Sequence, residues 1–181
     1  MAAGMTLSRA DLAAYEYLNL EANVLEWIAR VLGRDLPAGQ DAHQVLKDGS
    51  VLCELVNKMF NGCIKKYHPP SKVSMRCIEN ITLFLKVLVK MGLTTHTFDP
   101  LDLFEAKNMM RVLVTLEALA LFVNDRGFPV RWKKKSHEFK QEQLQAAEAT
   151  YSPSQFADMF AQMKAEQRKA AKAKAAEAPP P

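Results

Sequence analysis

Apolar residues recur along this chain every three or four positions, the spacing of an α-helix, and nowhere in the sustained alternation that marks a strand. Leu18, Ala22, Leu25, Ile28, Ala29 and Leu32 predict a helix over residues 17–32, stopped at Gly33, with Trp27 on this face or its edge. Asp41 is the expected N-cap of a short element over residues 43–47. Asp48-Gly49 breaks it, and Ser50 is expected to cap a second apolar run over 51–60. Between Asn61 and Ser74 a glycine, Pro69-Pro70 and scattered polar residues give no period, which predicts a long surface connection. Ile78, Ile81, Leu85, Leu88 and Val89 restore a helical stripe from near Met75 to Met91-Gly92, followed by a turn over 97–100 and a short element over 101–104. Residues 107–124 are almost continuously apolar, led by Val112, Leu113, Leu116, Leu119, Ala120 and Val123. Such a helix belongs at the centre of a bundle, and Gly127 is its expected C-terminal cap.

Beyond Pro129 the pattern changes. Trp132-Lys133-Lys134-Lys135 is a basic cluster, residues 137–149 are a polar helix candidate, and Ser152-Pro153-Ser154 opens a further helix. In that helix Phe156, Met159, Phe160 and Met163 fall at i, i+3, i+4 and i+7, a narrow apolar stripe with two readings: it folds back over the domain, or it docks in a groove on another protein. The alanine- and charge-rich stretch that follows is a marginal helix, and Pro179-Pro180-Pro181 is a disordered end. A length of 181 residues suits one domain and its extension better than two domains. The expected architecture is all-α: an N-terminal extension (1–16), a compact helical bundle (17–128), a basic linker and helix (129–150), an amphipathic helix (151–178) and the end (179–181).

Charge sharpens this division. Residues 1–130 carry fourteen basic and fourteen acidic side chains, and residues 131–181 carry ten and six, so the net charge of +4 resides in the extension. A neutral domain is not the footprint of a dedicated nucleic-acid binder, and an anionic partner is to be sought through the tail. No apolar run is long enough to span a membrane and the first residues lack a secretory pattern, so no membrane insertion and a cytoplasmic location are expected. Cys53, Cys63 and Cys77 form no C-x-x-C pair and are expected to be reduced thiols. His43, His68, His96 and His137 stand in no nucleophile–base pattern, Cys63 and His68 lack a second ligand pair, and no glycine-rich phosphate loop is present. The chain is therefore read as not an enzyme, with no metal and no cofactor, and it is separately expected to be a monomer. Trp27, Leu52, Leu55, Ile81, Phe84, Phe104 and Leu116 are its expected structural core, and the turn at Asp48-Gly49 is expected to serve chain reversal.

Four blocks stand in order: Glu26-Trp27-Ile28; the run from Gln44 through Leu46-Lys47-Asp48-Gly49-Ser50 to Asn57; Glu79-Asn80-Ile81 with Phe84-Leu85; and Asp102-Leu103-Phe104-Glu105-Ala106-Lys107-Asn108-Met109. Together they resemble a calponin homology domain across about residues 17–127. Asp102 to Met109 and the segment from Trp132 to Gln145 are most similar to the calponin and transgelin group. After Gln145 the chain departs from that group, whose members usually continue into short calponin-like repeats, and runs through Tyr151-Ser152-Pro153 instead. The resemblance implies non-enzymatic binding to the side of actin filaments, with Lys133, Lys134, Lys135 and Lys140 as the candidates carried over from the basic segment. Two alternatives stay open. Some single domains of this superfamily bind tubulin, which leaves a microtubule- or axoneme-associated role, and the Phe156/Met159/Phe160/Met163 helix could recruit a signalling or scaffold protein.

Overall fold

The computed structural model describes residues 9–94 and 97–150. Among these described residues seven helices follow in order: α1 Arg9–Leu32, α2 Ala42–Leu46, α3 Ser50–Met59, α4 Ser74–Lys90, α5 Pro100–Phe104, α6 Met109–Asp125 and α7 Gln141–Thr150. No strand occurs among the described residues. These residues fall into two compact units, one spanning Asn19–His137 and the other made of residues up to Leu18 with those from Glu138 onward.

In the larger unit α3 lies along α4, α4 meets α5, and α5 meets α6. Trp27, Leu52, Leu55, Ile81, Phe84 and Leu116 are fully buried, as are Leu46, Leu103 and Leu113. Each such side chain contributes about 1.5–3 kcal/mol through the apolar area it withdraws from water. Phe104 is a correction: it is only half-buried, and its neighbour Leu103 takes the core position. Five residues form little more than one turn, so α5 can turn only one apolar side chain fully inward. Phe104 lies at the rim, with the Lys47 ammonium 5.4 Å from its ring centre.

Other boundaries shift for local reasons. α1 starts eight residues before its predicted first turn. Its buried face runs through Tyr17, Leu20, Val24, Trp27, Ile28 and Val31, while Leu18, Ala22, Leu25 and Ala29 flank it, so Trp27 is central rather than at the edge. In α4 the buried stripe is Cys77, Asn80, Ile81, Phe84 and Leu88, and Val89 is exposed. The residues predicted as a polar helix from 137 are non-helical as far as Lys140, and α7 begins only at Gln141. Asp41 caps α2 as expected, in a reciprocal box with Gln44. Ser50, however, is the first residue of α3, and the cap is made by Asp48, whose carboxylate accepts from the Ser50 backbone N–H (2.8 Å) and hydroxyl (2.6 Å).

Gly49 between them has φ +70°, and a Cβ there would lie 2.7 Å from the Asn80 Cβ and 2.8 Å from the Ile81 nitrogen. The Asp48-Gly49 turn thus allows the start of α3 to press against α4, which is a structural duty. At the far end of α6, Gly127 (φ +78°) closes the helix, and the Phe128 N–H returns to the Val123 carbonyl.

The smaller unit is built on Ala14, Leu144 and Ala147, with Tyr15, Leu18 and Phe139 packed around them. Tyr15 and Phe139 meet edge to face at 5.7 Å, and the Gln141 amide donates to Asp11. The Phe156, Met159, Phe160 and Met163 stripe lies outside the described residues.

Candidate functional site

The segment after α6 is not a free linker. Residues 130–137 carry no helix or strand and lie against α1 and the end of α6, fastened chiefly through backbone atoms. Asn19, Asn23 and Trp27 stand at i, i+4 and i+8 on α1, one above another on a single face. Asn23 accepts from the Lys135 N–H (2.8 Å) and donates to the Lys135 carbonyl (2.9 Å). Asn19 accepts from the His137 N–H at 2.9 Å, and the Trp27 indole donates to the Val130 carbonyl at 3.3 Å. Asn124, in the last turn of α6, accepts from the Trp132 N–H at 2.9 Å and donates to its carbonyl at 3.5 Å. The segment is a strap, running antiparallel to α1.

Trp132 anchors it. Only 9% of its surface is exposed, and its ring meets Trp27 edge to face with centres 6.2 Å apart. Because the fastening uses backbone atoms and one inward indole, the intervening side chains are free to face water: Lys133, Lys134, Lys135 and Ser136 are all exposed. Their charges are not equivalent. Lys135 is hydrogen-bonded to the Glu26 carboxylate, and the Lys134 ammonium lies 3.8 Å from Glu117. Lys133 makes no ion pair among the described residues. The hydrogen bond from Lys135 is the main force holding the Glu26 carboxyl below its usual range, against the opposing effect of burial, with Arg30 and His137 adding in the same direction.

Lys140 belongs to the smaller unit. It is exposed and opens α7, its N–H donating to Gln143 Oε1 at 2.9 Å. The other titratable candidates are structural in their contacts. His43 Nε2 is 3.3 Å from the Phe104 carbonyl, and His68 Nε2 is 2.8 Å from Glu79, whereas His96 lies outside the described residues. Cys53 and Cys77 are buried, and burial pushes the Cys53 thiol up to about 12, so it stays protonated and inert. Among the described residues no three His, Cys, Asp or Glu side chains gather as a metal site, and no helix is long and apolar enough to cross a membrane.

The sequence pattern located the lysines but not their support. The available signal was the pair Asn19 and Asn23, one helical turn apart beside a tryptophan, on a helix face that burial would otherwise fill with apolar residues.

A model of the calponin homology (CH) domain matches residues 18–125. Myophilin from Echinococcus granulosus is 38% identical over 100 residues, covering 55% of this chain and 53% of that protein. Muscle-specific protein 20 from Drosophila melanogaster is 34% identical over 112 residues, covering 61% and 60%. The match therefore spans little more than half the length of these curated relatives. Among solved structures, the calponin-homology domain of RNG2 from Schizosaccharomyces pombe superposes with a TM-score of 0.70 at 28% identity, covering 76% of this chain and 89% of that one.

Proposed function

Since this chain belongs to the calponin homology domain family, close to its calponin and transgelin group, we propose that it acts as a non-enzymatic, cytoplasmic, cytoskeleton-associated protein that binds the side of actin filaments. The helical domain is the platform, and the strap carrying Lys133, Lys134 and Lys135 supplies electrostatic attraction, with Lys140 beyond it. The observation that carries this reading is the strap's fastening: a backbone outside any helix, held by three asparagines and two tryptophans, with a row of exposed lysines. A row fixed in advance loses less conformational entropy on docking than a flexible tail would. Exposed lysines each contribute about 1 kcal/mol or less and are screened by salt, so attachment is weak and salt-sensitive.

The test is co-sedimentation of the full-length chain with actin filaments and, separately, with microtubules at low and moderate salt. Lys133/Lys134/Lys135→Glu should lose most of the actin pelleting while keeping the parent's thermal unfolding midpoint to within a few degrees. Equal pelleting of parent and variant would remove the strap from the mechanism, and pelleting with microtubules alone would replace the filament. Truncation after residue 128 is the wrong comparison, because it strips the cover from Trp27 and leaves Asn23 without two of its partners.

A further inference from the structure

The neutrality of residues 1–130 conceals a segregated stretch. Between Glu54 and Glu79 the chain has five basic residues, Lys58, Lys65, Lys66, Lys72 and Arg76, and no carboxylate. All five are exposed, and none makes an ion pair among the described residues. The carboxylates that bound the stretch are already engaged: Glu54 takes the Arg34 guanidinium at 2.6 Å, and Glu79 takes His68 at 2.8 Å. The positive charge is therefore left uncompensated, unlike that of Lys134 and Lys135 on the strap.

The backbone here is held in the same manner as the strap. Asn57 accepts from the Ile64 N–H (2.7 Å) and donates to its carbonyl (3.0 Å). Asn80 accepts from the His68 N–H (2.8 Å) and donates to its carbonyl (3.0 Å). Lys65, Lys66 and Tyr67 thus form the crest of a span pinned at both ends. The next basic residues are tied to the same helix, since the Cys77 thiol donates to the Ser71 carbonyl at the start of α4. Apolar side chains stand exposed among these charges: Met75 at 78%, Val73 at 53% and Tyr67 at 37%.

We propose that residues 64–76 form a second docking surface for an acidic protein, separate from the strap and directed at the same filament. This rests on the filament reading above. Aromatic and methionine side chains within a basic rim are the composition of a protein contact, whereas insertion into a bilayer surface calls for a long amphipathic helix, and of residues 64–76 only 74–76, the first turn of α4, are helical. The span is carried by α3 and α4, and the strap by α1 and α6, so the two contacts share no supporting helix.

The experiment compares four full-length proteins by co-sedimentation with actin filaments across a salt series: the parent, Lys65/Lys66→Glu, Lys133/Lys134→Glu, and the quadruple variant. Lys65/Lys66→Glu should weaken binding about tenfold and flatten its salt dependence, and the two losses should multiply in the quadruple variant. Parent-like binding by Lys65/Lys66→Glu would overturn the proposal. A weakened span variant beside an unaffected strap variant would sustain the span and sink the strap. If the parent pellets with no filament, the filament reading fails, and the span is judged by amide NMR shifts on adding poly-L-glutamate. Shifts at residues 64–68 that vanish in Lys65/Lys66→Glu keep the acidic-protein surface, and their absence removes it. Capture of the parent by phosphatidylserine vesicles alone, lost in the same variant, would assign the surface to lipid and overturn the proposal.

Discussion

At the scale of single residues the recurring device is asparagine. Asn23, Asn57, Asn80 and Asn124 each offer one amide to both the N–H and the carbonyl of a single residue outside any helix, namely Lys135, Ile64, His68 and Trp132. A primary amide has the same donor and acceptor as a peptide unit, so each asparagine substitutes for one rung of a β-ladder in a protein whose described residues contain no strand. Asn23→Ala should therefore destabilise the domain by about 2 kcal/mol in urea unfolding and speed tryptic cleavage after Lys133–Lys135. Gly49→Ala meets backbone at 2.8 Å in addition to its positive φ, and should cost about 3 kcal/mol or more. Gly127→Ala, with open space around it, should cost only about 1 kcal/mol, and the ordering of the two is read from the same unfolding curves. Of the thiols, exposed Cys63 should react with a disulfide reagent at pH 8 well before buried Cys53 and Cys77, so one fast equivalent per chain is expected.

At the scale of elements, what could be read in advance follows from what periodicity encodes. The existence of α1 to α6 was legible: α1 to α4 and α6 each bury a stripe at helical spacing, α5 stood out as a short run after the turn over 97–100, and α6 was recognisable as interior since nearly all its residues are apolar. The rotation of α1 and α4 about their axes was not. Moderately apolar residues such as Ala22 and Val89 score alike whether they flank the core or face it, and only the positions of neighbouring helices decide. The strap was invisible for a different reason: a segment held through its backbone leaves no period in its side chains. Lys133 to Lys135 therefore read only as a basic cluster, and their support lay in Asn19, Asn23 and Asn124, more than a hundred residues earlier or one helix back. The coupling also sets a pH dependence. The Glu26 carboxyl titrates below its unfolded value because of Lys135, so its contribution is complete above the ordinary glutamate range and disappears as pH falls through the lowered folded value. Glu26→Gln should remove that part of the acid limb of the stability profile, a small change because the pair is half-exposed.

At the scale of the whole molecule, net charge proved a poor guide to where charge acts. The even balance over residues 1–130 is an average of a carboxylate-free stretch and acidic segments elsewhere, and the excess assigned to the extension includes lysines already answered by Glu26 and Glu117. The strap has one more consequence, for the order in which the domain is made. Asn23 and Lys135 are 112 residues apart, and Trp27 is sheathed by a tryptophan that follows the last core helix. During synthesis the bundle emerges with this flank of its first helix bare, and the long loop that closes it is fastened last. Trp132 fluorescence should accordingly lag behind helix formation in stopped-flow refolding, and a nascent chain halted before residue 130 should display to chaperones the same indole that the finished protein hides.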